Sequence, residues 1–181
     1  MDRPTRSEFY VRMTSVMHHV RTMNSAVSRL TVAGLLGSAL VAGVLFAFSS
    51  FVLPALERIP AAQGMAAMQS INITAVRPAF MTALFGTALV CLALAACAVR
   101  GWGQPFAVPL LAGSVLYLIG AIGLTIVFHV PLNDTLATLD PNAPSSASTW
   151  SDYLSQWGAG NQIRWIAALA ASALFTTALR R

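Results

Sequence analysis

The sequence predicts an all-α protein, an integral membrane four-helix bundle with both termini on the inner side and short interfacial helices on the outer side. Four apolar stretches, 30–53, 78–99, 106–128 and 161–179, each reach or approach the about 20 helical residues that cross a bilayer. Only 9% of the 181 residues are charged and 56% are hydrophobic, with a mean hydropathy of +0.68, whereas soluble domains carry roughly 25% charged residues. The arginines are also unevenly placed. Arg3, Arg6, Arg12, Arg21, Arg29, Arg100, Arg180 and Arg181 fall at one set of span ends, and only Arg58, Arg77 and Arg164 at the other. Cytoplasmic flanks accumulate Lys and Arg, so this asymmetry places both termini in the cytoplasm and 54–77 and 129–160 outside.

Residues 1–29 form a separate cytoplasmic arm. Phe9, Met13, Val16, Val20, Met23, Val27 and Leu30 recur at alternating steps of four and three, with Arg12, His19 and Arg29 between them. That period predicts an amphipathic helix on the inner membrane surface. An extended arm or a later start is the alternative, since Met13, Met17 and Met23 each offer an initiation point. Residues 30–181 are the four-span membrane domain. The first span is too long for a signal peptide and no small-residue cleavage site follows it, so it is expected to stay in the mature protein.

Span one is expected to end at Pro54. Gly34, Ser38 and Ala42 repeat along it every four residues, and Gly113, Gly120 and Gly123 thin span three. Small residues let transmembrane helices approach closely. Pro78 suits the first position of span two, and "GWGQP" and Pro131 bound span three. In the outer segment before span four, "DPNAPSSAST" reads as loop, and Trp150, Tyr153 and Trp157 at i, i+3 and i+7 predict a short helix seated at the outer interface.

Several function classes are excluded by composition. The net charge is +5 and the pI near 10.2, yet the chain has no lysine and its arginines mark span ends rather than one basic face, so nucleic acid is not a partner. Cys91 and Cys97 stand six apart in one apolar run, without a second pair for a metal site, and read as apolar filler. There is no dinucleotide glycine motif, His/Cys cluster or paired Glu-x-x-His, so no cofactor or metal is expected. One histidine and one carboxylate fall short of the usual three protein ligands of catalytic zinc.

Polar residues gather instead at the outer ends of the spans. Glu57 follows span one, Arg77 precedes span two, His129 ends span three within "IVFHVPLNDTL", and Asn161 and Arg164 open span four. Asn72, Asn133 and Asp134 flank the same level. Ionisable groups at a span are costly and by default indicate a functional site facing the bundle interior. Each also has a plainer use: headgroup contact for Arg77 and Arg164, helix capping for Asn133, Asp134 and Asn161, a solvated charge for Glu57 and a backbone hydrogen bond for His129.

Four blocks, "GVLFAFSSFVLPAL", "GMAAMQSIN", "VPLND" and "YLSQWGAGNQIR", taken in this order, resemble the anthrone oxygenase family of small four-helix membrane proteins, many of whose bacterial members have no assigned function. The resemblance runs from about Leu30 to the C-terminus; Gly158 and Gly160 stand where bulkier residues are expected. It implies oxidation of an anthrone, a tricyclic phenolic ketone, by molecular oxygen without flavin, haem or a dedicated metal, in a bacterial inner (plasma) membrane. An anthrone is a carbon acid whose anion can itself pass an electron to dioxygen. The protein then supplies a base, a cradle for the oxyanion and a dry pocket.

His129, whose side chain ordinarily titrates near about 6.5, is the expected base, and Glu57 the alternative base or the group that orients His129. Arg164 is expected to hold the enolate oxygen, Asn133 and Asn161 to donate hydrogen bonds, and Trp157 and Phe128 to stack on the rings, with Arg77 and Asn72 at the edge of the substrate site. The expected partners are a hydrophobic aromatic molecule, oxygen and membrane lipid, with a homo-oligomer left open. The competing reading is a non-enzymatic membrane protein that binds a lipid, a quinone or a partner helix at its outer face. A transporter is disfavoured by the lack of a helix broken in mid-membrane.

Overall fold

A computed structural model describes residues 23–181. Most of the expected amphipathic arm, including His18 and His19, lies outside the described residues. Asn24 caps the first helix, its side chain accepting from the backbone N–H of Val27 at 2.9 Å, an arrangement that satisfies one of the orphan donors of a helix start.

Five helices follow. α1 is Ser25–Glu57, α2 Ala61–Ala75, α3 Pro78–Arg100, α4 Ala107–Ala137 and α5 Ser146–Leu179. All but α2 are long and apolar enough to cross a membrane. α1 packs on α3 and α5, and α4 closes the ring by packing on the same two helices. The interior follows the small-residue faces: Gly34, Ser38, Val41, Ala42 and Leu45 of α1 are buried, and a Cβ on Gly34 would come within 2.9 Å of Leu94 and one on Gly113 within 2.8 Å of Phe175. Large apolar side chains, among them Leu36, Leu89, Ile119, Val127 and Ile166, point outward instead. An apolar exterior around a helix ring is what lipid requires of a spanning bundle.

The prolines do not end the helices as expected. α1 passes Pro54 through a π-helical stretch, Phe48–Val52, before Leu53–Glu57, and α4 passes Pro131 through two, Leu116–Gly123 and Thr125–His129, before Val130–Ala137. Proline lacks an N–H, and its ring presses on the carbonyl four residues back. A widened turn just ahead of it relieves that clash, and π-turns of this kind concentrate at functional sites.

α5 departs further from expectation. It has 34 residues, about 51 Å at 1.5 Å per residue, against a hydrocarbon core of about 30 Å. The first turns of α5, the end of α1 and α2 therefore form a cap at one end of the ring. Trp150, Tyr153 and Trp157 belong to α5 rather than to a separate interfacial helix, and they are buried against Leu53, Leu56, Met65, Met68 and Leu136. Asn161 accordingly sits inside α5 and caps nothing. α2 is a short helix of the cap that the sequence did not resolve.

Candidate functional site

At the junction of ring and cap, α1 at Leu45–Ser49, α4 at Leu124–His129 and α5 at Trp157–Arg164 meet at one level. Asn161 ties two of them together. Its Nδ2 donates to the Leu45 carbonyl at 2.7 Å and contacts Ser49 Oγ at 2.8 Å. A backbone carbonyl only accepts, which fixes the amide orientation: the nitrogen faces α1 and Oδ1 faces elsewhere, buried and without a partner. The expectation that Asn161 donates to a ligand is thereby corrected, since both of its N–H groups are directed to α1 and what it has to offer is an acceptor.

One turn on, Arg164 is 4% exposed. Its guanidinium carbon lies 5.8 Å from the centroid of the Trp157 ring, and its Nε has no hydrogen-bond partner. No carboxylate lies within ion-pair distance of it among the described residues. The reading of Arg164 as a headgroup contact is therefore not met. Buried charges are ordinarily paired, and an arginine held this deep beside an aromatic face is poised for an oxygen acceptor.

His129 is 1% exposed, with a backbone carbonyl facing each ring nitrogen. Nδ1 is 3.1 Å from the Leu124 carbonyl, five residues back across the π-turn, and Nε2 is 3.3 Å from the Trp157 carbonyl of α5. The rings of Phe128 and Trp157 meet it edge-on at 5.3 and 5.1 Å, and Gly160 packs under its Cε1. Both nitrogens thus face backbone oxygen, and neither presents a lone pair to a ligand, contrary to what a base requires. His129 fastens α4 to α5. Trp157 is similarly occupied, with Phe48 tilted against it at 5.6 Å and Arg164 over its ring, so it has no free face for stacking.

Asn133 also turns out to be an acceptor: Oδ1 takes the Tyr153 hydroxyl at 2.8 Å and the Trp157 indole N–H at 3.0 Å. Asn72 adjoins Tyr153, with its Nδ2 buried and unpartnered. These two residues organise the cap. Arg77 is exposed at the N-terminus of α3 and Asp134 is exposed on α4; neither joins the cluster.

A cleft of about 390 Å³ opens between α1 and α5 beside this level, lined by Ser49, Leu53, Pro54 and Glu57 on one side and Trp150, Ser151, Leu154 and Ser155 on the other. That volume lies in the range of about 300 to 1,000 Å³ typical of small-molecule sites. Glu57 stands at the outer end. Ser49, the contact of Asn161, lines it from α1. Ser49 is the site residue that sequence reasoning missed; Trp150 belonged to the aromatic stripe whose alternative reading was substrate stacking. The "SS" before "FVLP" was a polar pair at a span end, but only the contact with Asn161, more than a hundred residues away, gives it a role. Among the described residues no three His, Cys, Asp or Glu side chains converge as a metal ion would need.

Neither the curated proteins nor the solved structures include a match to this chain. A family model does match it: the one described as Anthrone oxygenase covers residues 77–174, more than half of the sequence, and takes in α3, α4 with His129, and α5 with Asn161 and Arg164. The chain therefore belongs to the anthrone oxygenase family.

Proposed function

We propose that this protein is a membrane-embedded oxygenase that uses molecular oxygen on an anthrone-like phenolic ketone, with its termini in the cytoplasm of a bacterial cell and the cap outside. The observation that carries the reading is Arg164, a buried guanidinium without a counter-charge among the described residues, one turn from Asn161, which contacts Ser49 of the cleft that Glu57 also lines. An oxyanion formed in the substrate supplies the missing charge. Preorganised donors of this kind contribute about 10² to 10³-fold each.

In this reading the base is Glu57, which lines the cleft, and His129 is a positioning residue. The Glu57 carboxylate takes a proton from the substrate methylene carbon. The electron pair left behind spreads over the rings onto the ketone oxygen, which Arg164 holds. The anion passes one electron to dioxygen, and the two radicals combine in a carbon–oxygen bond. The proton on Glu57 returns to the peroxide anion so formed, and the hydroperoxide loses water, which carries off the second methylene hydrogen and one oxygen atom, while the other oxygen remains as the new carbonyl. In an anthrone the methylene and the ketone lie on opposite edges of the central ring.

Oxygen uptake by the purified protein with anthrone, chelator present, tests this reading. Glu57→Gln should lower the rate about 10² to 10⁴-fold. Arg164→Gln should lower it about 10² to 10³-fold by removing a preorganised donor. Ligand binding without oxygen uptake would identify a binding protein instead. Turnover that survives Glu57→Gln at an unchanged rate would remove Glu57 as the base.

A further inference from the structure

The polar lining of the cleft between α1 and α5 is chemically one-sided. It comes from Ser49 and Glu57 of α1 and from Ser151 and Ser155 of α5, the last two one turn apart. A carboxylate only accepts, and a serine oxygen has two lone pairs to offer. No arginine or histidine lines the cleft, and no cationic side chain lies within ion-pair distance of Glu57 among the described residues. The cleft is thus rich in acceptors, with one negative charge left to match.

Its position narrows what can match that charge. α1 and α5 are neighbours in the ring, and Glu57, Ser151 and Ser155 are all exposed, so the cleft opens on the perimeter of the bundle. It lies in the cap, beyond the about 30 Å that the hydrocarbon core spans, at the level of lipid headgroups. The α1 wall does not stand in open water. Phe51 and Ile59, 62% and 38% exposed, flank Glu57 along the chain, and large apolar and aromatic side chains at a span end sit among headgroups and upper acyl chains.

Charge then selects among headgroups. A phosphate brought into the cleft would meet Glu57 with no cation in the lining. A quaternary ammonium has no N–H for the serines, and the Trp150 ring that could hold it by a cation–π contact is stacked on Tyr153 and 4% exposed. A primary ammonium brings one positive charge and three N–H donors, which the carboxylate and the two exposed serines can share. Arg58, next in the chain and exposed, leaves a cation outside the cleft for the phosphate that follows.

We propose that the cleft binds the headgroup of a membrane lipid bearing a primary ammonium, which donates to the Glu57 carboxylate and to Ser151 Oγ and Ser155 Oγ. The site stands on the cleft alone. One consequence rests on the proposed function: because Glu57 is the base there, such a lipid competes with the substrate, raising KM and leaving kcat unchanged.

Nanodiscs carrying the full-length protein in equal parts of phosphatidylethanolamine, phosphatidylcholine and phosphatidylglycerol test the site, with the lipids that stay on the ejected protein counted by native mass spectrometry. Phosphatidylethanolamine should be retained about 10-fold over each of the other two, the factor expected of charge-assisted hydrogen bonds. Glu57→Gln should equalise phosphatidylethanolamine and phosphatidylcholine. Ser151→Ala combined with Ser155→Ala should reduce the preference to about threefold. All three positions are exposed, so these variants keep the packing. Equal retention by the wild-type protein, a preference for phosphatidylglycerol, or a preference that survives Glu57→Gln would each overturn the proposal. So would loss of the bound phosphatidylethanolamine when free ethanolamine is added at the lipid's concentration, which would make the occupant a soluble amine. Preferential retention without oxygen uptake spares this site and defeats the oxygenase; uptake without lipid preference does the reverse.

Discussion

Gly160→Ala is a one-carbon test of how the site is held together. The added Cβ would stand 2.7 Å from His129 Cε1 and 2.7 Å from Phe128 Cε1, well inside van der Waals contact. Neither ring can swing away freely, because His129 is pinned to two carbonyls, of Leu124 and Trp157, at 3.1 and 3.3 Å. Overpacking of this kind costs about 1 to 3 kcal/mol, and displacing the imidazole forfeits one hydrogen bond of about 1 kcal/mol, because a neutral ring has a single N–H to donate to the two carbonyls. Alanine returns about 1 kcal/mol over glycine in a helix interior. The net is a loss of about 1 to 3 kcal/mol, which at about 2 to 4 °C per kcal/mol lowers the melting temperature by about 2 to 12 °C. Gly86→Ala is the control: no atom lies within 4 Å of its added Cβ, so the substitution should be neutral or stabilising. Thermal unfolding followed by circular dichroism in one detergent compares the two. A Gly160→Ala protein as stable as wild type would show that α4 and α5 are not locked through His129.

Three further outcomes follow from the same geometry. Asn133→Leu strips the acceptor from both the Tyr153 hydroxyl and the Trp157 indole and should cost about 2 to 6 kcal/mol in thermal or denaturant unfolding, at about 1 to 3 kcal/mol per buried orphan; a loss below about 0.5 kcal/mol would show that solvent already serves these donors. Asn133→Asp keeps the acceptor and should retain most of that stability. Cysteine at the exposed position 148, with Cys91 and Cys97 replaced by alanine, should react with an impermeant maleimide in intact cells, whereas cysteine in place of Arg181 should react only after permeabilisation. The opposite pattern would invert the orientation drawn from the arginines.

The sequence by itself determined the class of this protein and the number of its long helices. Apolar run length and scarce charge are summed over many residues, so lipid compatibility is legible without any contact. The stretch 78–99 matches α3 to within one residue, and Gly34, Ser38 and Ala42 marked the buried face of α1 because only small side chains allow close helix approach. The residues of the polar cluster were legible too, as costly groups at span ends. Their roles were not. Whether Asn161 donates or accepts depends on a carbonyl 116 positions away on α1, and whether His129 keeps a free nitrogen depends on a π-turn in its own helix and on the backbone of α5. The interfacial stripe at Trp150, Tyr153 and Trp157 became core because α2, which carries no long apolar run, folds over it. Periodicity reports which residues share a face, but a hydrogen bond has a direction and needs a particular partner, and only the tertiary packing of α1, α4 and α5 supplies both.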